Sequence, residues 1–151
     1  MYLLDTNHCS LIILINQNII DEIEKVGESN IATTMITVGE LTFMAENSKY
    51  IEDNLNRLNK FLAKIRIYYA DMLTAKIYGK IKAGLIQEFG PKQKTKRKTT
   101  KITQLGFDEN DIWIAAIAIR NQLTLVSADS DFYRIKTIID FPLKNWRENN
   151  Q

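Results

Sequence analysis

Four acids are placed where chemistry could be done. Asp5 follows the apolar run Tyr2-Leu3-Leu4, Glu40 lies in Ile36-Thr37-Val38-Gly39-Glu40-Leu41, Asp111 directly precedes an apolar stretch from Ile112 to Arg120, and Asp129 follows Leu123 to Ser127. Each falls at or just after the carboxyl end of an expected strand, or at the start of an expected helix. If the strands are parallel, these positions gather on one edge of the sheet, where open α/β sheets hold their ligands. Carboxylates packed together repel one another and resist ionisation unless cations neutralise them. Oxygen-only clusters suit Mg²⁺ or Mn²⁺, which can activate water or clamp both oxygens of a phosphodiester displacement.

Each acid also has a local reading. Asp5 closes a turn with Thr6 and Asn7, Glu40 is a surface helix residue, and Asp108, Glu109 and Asp111 complement a helix N-terminus. Asp129 and Asp131 form Asx turns before Phe132. The joint placement favours the cluster. Other chemistries are narrowed by composition: Cys9 is the only cysteine and His8 the only histidine, so a Cys-based zinc cage and a His-rich metal site are excluded. A Ser-His or Cys-His scheme is weakened for the same reason.

The elements that must position these acids follow from periodicity. Tyr2 to Leu4, Asn30 to Thr34, Arg66 to Tyr69 and Leu123 to Ser127 read as strands, with Thr137 to Ile139 as a last edge strand. Ser10 to Ile15 and Ile19 to Val26 read as short helices stopped by Gly27, and the pattern turns helical again around Glu40. Ile51 to Ile65 is amphipathic, and a long helix runs from about Met72 to Glu88 with Met72, Leu73, Ile77, Ile81 and Leu85 as its inner stripe. Ile112 to Arg120 is apolar nearly all round and is expected to be deeply buried, and Trp146 is expected to pack the tail onto the body.

With 151 residues, 45% hydrophobic and 25% charged, the chain is read as one domain, residues 1–151, with a real core. No apolar stretch approaches the roughly 20 residues of a membrane span, no basic region opens a secretory signal, and a reducing cytoplasm fits. The net charge of +2 conceals a concentrated basic segment. Residues 91–101 carry Lys92, Lys94, Lys96, Arg97, Lys98 and Lys101 and no acid. The remainder, with 14 basic and 18 acidic side chains, has a net charge of −4. Such a run attracts a polyanion or serves as a solvated loop.

In order and approximate spacing, Leu3-Leu4-Asp5-Thr6-Asn7, Ile36-Thr37-Val38-Gly39-Glu40-Leu41, Asn110-Asp111-Ile112-Trp113-Ile114-Ala115-Ala116 and Val126-Ser127-Ala128-Asp129-Ser130-Asp131-Phe132 resemble the four motifs of PIN-domain ribonucleases. The likeness is nearest to VapC-type toxins of bacterial toxin–antitoxin pairs, and it covers essentially the whole chain. It implies a three-layer α/β/α fold with a central, mostly parallel sheet. It also implies a metal-dependent endoribonuclease whose acidic Mg²⁺ or Mn²⁺ site is Asp5, Glu40, Asp111 and Asp129. Asn7 would orient Asp5 and Glu40, Ser127 stands where the family often has Thr, and Asp131 is an additional acid. The implied partners are RNA, a VapB-type antitoxin and a second copy of the chain in a homodimer.

One stretch departs from the family pattern. The connection before the Asn110-Asp111 motif, about residues 89–104, is longer and more basic than usual, and Lys94, Lys96, Arg97 and Lys98 are candidates for RNA contact. Two rivals remain in view: a catalytically silent PIN-like module that binds RNA or antitoxin, and a phosphatase using Asp5 as nucleophile. The second is disfavoured by Asn7, where a haloacid-dehalogenase-like enzyme usually has a second Asp, and no P-loop pattern is present.

Overall fold

The computed structural model describes residues 1–147. Five strands, β1 (Tyr2–Leu4), β2 (Ile31–Thr34), β3 (Arg66–Tyr68), β4 (Thr124–Val126) and β5 (Leu143–Lys144), form one sheet in the order β3-β2-β1-β4-β5. Every pairing is parallel. The chain steps outward from β1 through β2 to β3, then returns to the other side of β1 for β4 and β5. The topological switch therefore lies between β1 and β4, and a crevice opens there at the carboxyl ends of the strands.

Alternation along the short strands divides the core in two. Leu3, Ala32 and Leu125 face one side, while Leu4, Ile31 and Val126 face the other. On the first face pack α5 (Met72–Phe89), α7 (Glu109–Arg120) and α8 (Ser130–Lys136), through Ile81, Leu85, Ile112, Ile114, Phe132 and Ile135. On the second pack α1 (Thr6–Ile13), α2 (Gln17–Val26), α3 (Met35–Glu46) and α4 (Ile51–Leu62), through Cys9, Ile19, Leu41 and Leu58. The result is the three-layer α/β/α fold. Trp146 is buried against the second cluster and tilts over Tyr2 with ring centroids 5.2 Å apart, so the tail is packed as expected.

Helix α7 is buried on nearly all sides, from Ile112 through Ala118 apart from half-buried Trp113. Trp113 stacks on Tyr78 of α5 at 4.0 Å between centroids. Gly84 lets α5 press close to the segment after α8, since a Cβ there would stand 2.3 Å from Ile138 Cγ2. Among the described residues, no helix is long and apolar enough to cross a membrane.

Several elements differ from the sequence expectation. Helix α1 starts at Thr6 rather than Ser10, because the Asp5 carboxylate caps it by accepting from His8 N. It ends before Ile15, whose φ of 61° is left-handed. Met72 and Leu73 are 73% and 50% exposed rather than inward. Asp71 and Thr74 form a reciprocal capping box that turns Thr74 inward, so the buried stripe runs Thr74, Ile81, Leu85 and leaves those two residues off it. Thr137 to Ile139 is not a strand. The α8 turn continues there through Ile138 N and Ile139 N, which both donate to Ile135 O, and the edge strand is β5.

The basic segment is also more structured than a loop. Helix α5 extends through Phe89, a one-turn helix α6 (Lys94–Arg97) follows, and a 3-10 turn (Ile102–Leu105) leads into α7. Ile102 and Phe107, 2% and 3% exposed, anchor its end in the core.

Candidate active site

The four acids arrive from four elements and line one cleft of about 560 Å³, together with Thr6, Asn7, Thr103, Gly106, Phe107, Asp108, Glu109 and Asp131. Their convergence follows from the topology. Asp5 is the first residue after β1, Asp129 lies three residues after β4, Glu40 is in the second turn of α3, and Asp111 is in the first turn of α7.

Asp5 is 3% exposed and held by three donors. Its Oδ1 accepts from His8 N at 2.7 Å and stands 2.8 Å from His8 Nδ1, and its Oδ2 accepts from Ser127 Oγ at 2.5 Å. Its backbone N donates to Val126 O at 3.2 Å, which fixes it to the end of β4 across the switch point. Ser127 works in both directions, since its Oγ also accepts from Asp129 N at 3.0 Å. One buried hydroxyl thus sets the position of two of the acids.

Glu40 is oriented from both sides. Its Oε2 accepts from the Thr6 hydroxyl, and its Oε1 accepts from Asn110 Nδ2 at 2.8 Å. Asn7, expected to orient Asp5 and Glu40, lines the cleft with an exposed side chain that makes neither bond; Thr6, Asn110, His8 and Ser127 make them instead. Thr6 and Asn110 were within the quoted motifs, each beside an acid. The sequence weighs His8 only as the lone histidine available to a metal site or to a Ser-His or Cys-His scheme, and nothing in its setting marks it as a buried carboxylate donor.

The carboxylates of Asp111, Asp129 and Asp131 offer oxygens that all lie within 4.8 Å of one another. Asp129 caps α8 by accepting from Asp131 N at 2.9 Å. Asp131 leans on Arg134 at 3.3 Å, yet burial and the neighbouring Asp129 still push its carboxyl above the ordinary range. Asp111 has no such support. Burial first, then the fields of Asp129, Asp108, Asp131 and Glu40, push it up to about 8. Glu109, one residue earlier, is held by Lys82 and by Tyr78 Oη at 2.7 Å and stays low.

A site that raises one carboxyl this far while tightly holding others lacks positive charge. Its donors are all oxygens, and the arrangement fits a hard divalent cation. Cys9 offers no alternative chemistry, because burial pushes its thiol up to about 12. A separate apolar groove of about 480 Å³ lies between α1, α2 and α4, lined by Ile12, Ile13, Ile23, Ile31, Phe61 and Ile65; it carries no cluster of reactive groups.

Comparison with known proteins places this geometry in context. The chain is 30% identical over 147 residues to Ribonuclease VapC2 of Haemophilus influenzae, covering 96% of this chain and 97% of the relative. It is 29% identical over 151 residues to Ribonuclease VapC2 of Rickettsia felis, covering 97% and 98% of the two chains. Its structure is similar to that of VapBC2 from Rickettsia felis bound to a DNA fragment from their promoter, with a TM-score of 0.76, 27% identity and coverage of 96% and 98%. It shares its fold with VapBC-1 from nontypeable Haemophilus influenzae at a TM-score of 0.75, 20% identity and coverage of 97% and 98%. The model of the PIN domain matches residues 2–138, which carry all four acids, and the chain belongs to the PIN domain family.

Proposed function

We propose that this chain is an endoribonuclease that hydrolyses RNA phosphodiester bonds and acts as the toxin of a VapBC-type toxin–antitoxin pair. The relatives named ribonuclease match it over nearly its whole length, and the similar structures are VapBC assemblies. The observation that carries the reading is the convergence of Asp5, Glu40, Asp111 and Asp129, from four separated motifs, in one cleft.

In this reading those four acids hold Mg²⁺ or Mn²⁺. When bound, the cation supplies charge neutralisation at the phosphate and a lowered pKa for the attacking water. The chain's own residues do the rest. His8 and Ser127 hold Asp5 in one rotamer, Thr6 and Asn110 hold Glu40, and Ser127 places Asp129. Asp111 keeps its proton near neutral pH in the metal-free chain and is the group whose ionisation the site most resists. Asp131 borders the same oxygens and is steadied by Arg134.

A VapB-type antitoxin is the proposed protein partner. Leu14 and Ile15, 71% and 72% exposed, border the apolar face at the end of α1 and supply the kind of surface that protein partners cover. The rival, a silent RNA- or antitoxin-binding module, would have no need of donors that orient Asp5 and Glu40 into the cleft.

The test is incubation of the purified protein, freed of any co-purified partner, with a mixed pool of structured RNAs in Mg²⁺, Mn²⁺ or chelator. Cleavage that requires the metal and disappears in Asp111→Asn supports the nuclease. Equal cleavage by wild type and variant would point to a contaminant and remove the support.

A further inference from the structure

The cleft poses an electrostatic problem for the substrate proposed above. A polyanion must approach seven lining acids, Asp5, Glu40, Asp108, Glu109, Asp111, Asp129 and Asp131, of which Glu109 and Asp131 have cationic partners on this chain. The compensating charge lies in the segment that leads directly into the cleft wall. Lys92, Lys94, Lys96, Lys98 and Lys101 are exposed, and none is paired with an acid among the described residues.

This segment is folded rather than loose. Arg97 turns back on it, with Nε donating to Pro91 O at 2.8 Å and Nη2 to Lys92 O at 3.3 Å. The hydroxyls of Thr99 and Thr100 both donate to Lys96 O, at 3.1 and 2.8 Å. Its exit is clamped to the cleft. Ile102 is buried, Thr103 and Gly106 line the cleft, and Arg134 donates to Leu105 O at 3.0 Å while its guanidinium covers the Phe107 ring at 3.7 Å. Arg134 lies on α8, the helix that Asp129 caps and that contains Asp131. The lysine-bearing turn is therefore joined, through the anchored stretch 102–107, to the wall of the cleft that holds the acids.

We infer that the segment 92–101 is the backbone grip for single-stranded RNA, with Lys94, Lys96 and Lys98 meeting phosphates flanking the one that enters the cleft. Arg97 spends two of its donors on the segment's own carbonyls and shapes it. This inference rests on the nuclease reading and adds to it the surface that carries the substrate's charge.

The experiment uses wild type, a Lys94→Gln/Lys96→Gln/Lys98→Gln variant, its Lys→Arg counterpart and a Lys25→Gln control on the distant helix α2. Binding of an end-labelled random-sequence single-stranded RNA pool is titrated in chelator across salt, and cleavage is followed separately in Mn²⁺. Losing three phosphate contacts should flatten the log–log salt slope by about 2, which over a fourfold rise in salt is an affinity loss smaller by about 20-fold. KM should rise more than kcat falls, the Arg counterpart should restore binding, and Lys25→Gln should bind as wild type does.

An unchanged slope in the Gln variant, with wild type still binding and cleaving, overturns the inference and leaves the nuclease reading intact. Intact RNA affinity with lost capture of the cognate antitoxin also overturns it, making the segment a protein contact. A wild type that neither binds nor cleaves RNA removes both.

Discussion

His8 Nδ1 stands 2.8 Å from Asp5 Oδ1 with both side chains buried, and His8 Nε2 has no hydrogen-bond partner among the described residues. Because the Asp5 carboxylate can only accept, Nδ1 carries the hydrogen of this contact. His8→Leu removes the donor and should cost about 1.5–3 kcal/mol, the range for hydrogen bonds to charged groups. His8→Asn, with an amide donor near the Nδ1 position, should retain more of that stability. Urea unfolding of the two variants checks this, and equal losses would show that only volume matters.

Asp111 gives the metal-free protein a definite pH dependence. Its carboxyl lies at about 8 when folded and near the ordinary 3.8 when unfolded, so between these values the folded state binds the extra proton. Stability from this group therefore falls as pH rises from about 4 towards 8. Asp111→Asn should remove that part of the slope and leave the metal-free protein at least as stable at pH 7, while reducing cleavage by about 100-fold or more. Thermal melts across pH in chelator test the first part. A large destabilisation would make Asp111 a structural cap.

Ser127→Ala deletes the hydroxyl shared by Asp5 Oδ2 and Asp129 N. The expected effect is a 10- to 100-fold loss of activity or metal affinity, of the order found for groups that orient metal ligands, roughly. Calorimetric titration with Mn²⁺ and initial cleavage rates would both register it. Retained affinity and rate would mean that the acids find their positions without the serine.

Divalent cation should stabilise the folded chain. At a free concentration about 100 times its dissociation constant, stabilisation should approach about 2.7 kcal/mol, and chelator should reverse it. A thermal shift with Mn²⁺ that vanishes in the Asp5→Asn/Asp111→Asn variant is the expected result. A shift that survives the substitutions would place the cation elsewhere.

The order of most elements and the convergence of the four acids in one cleft were legible because several signals were local. An apolar run stops at Asp5, another stops shortly before Asp129, and an apolar helix starts behind Asp111. The three-layer fold followed from strands alternating with helices. The errors lay where a concealed cap or tertiary packing decides. Asp71 and Thr74 are a local capping pair that the apolar stripe conceals, and the turn through Ile138 and Ile139 closes on Ile135 while Ile138 packs against Gly84 of α5. The burial of His8 beside Asp5 depends on the packed sheet. The supports of the acids were hidden for the same reason. Ser127 is 122 residues from Asp5 and Asn110 is 70 from Glu40, and such pairs become neighbours only in the folded sheet.

Central placement of β1 has a consequence for synthesis. Residues 2–4 leave the ribosome long before residues 124–126, the strand that leads to Asp129, yet the two segments pair. Non-local pairings of this kind close late, since the loop entropy must be met before the contacts form. A nascent chain therefore carries Asp5 and Glu40 with no opposite wall to the cleft until β4 has emerged. On the proposed reading, a nuclease built this way is harmless during its own translation and becomes dangerous only as its last acids arrive.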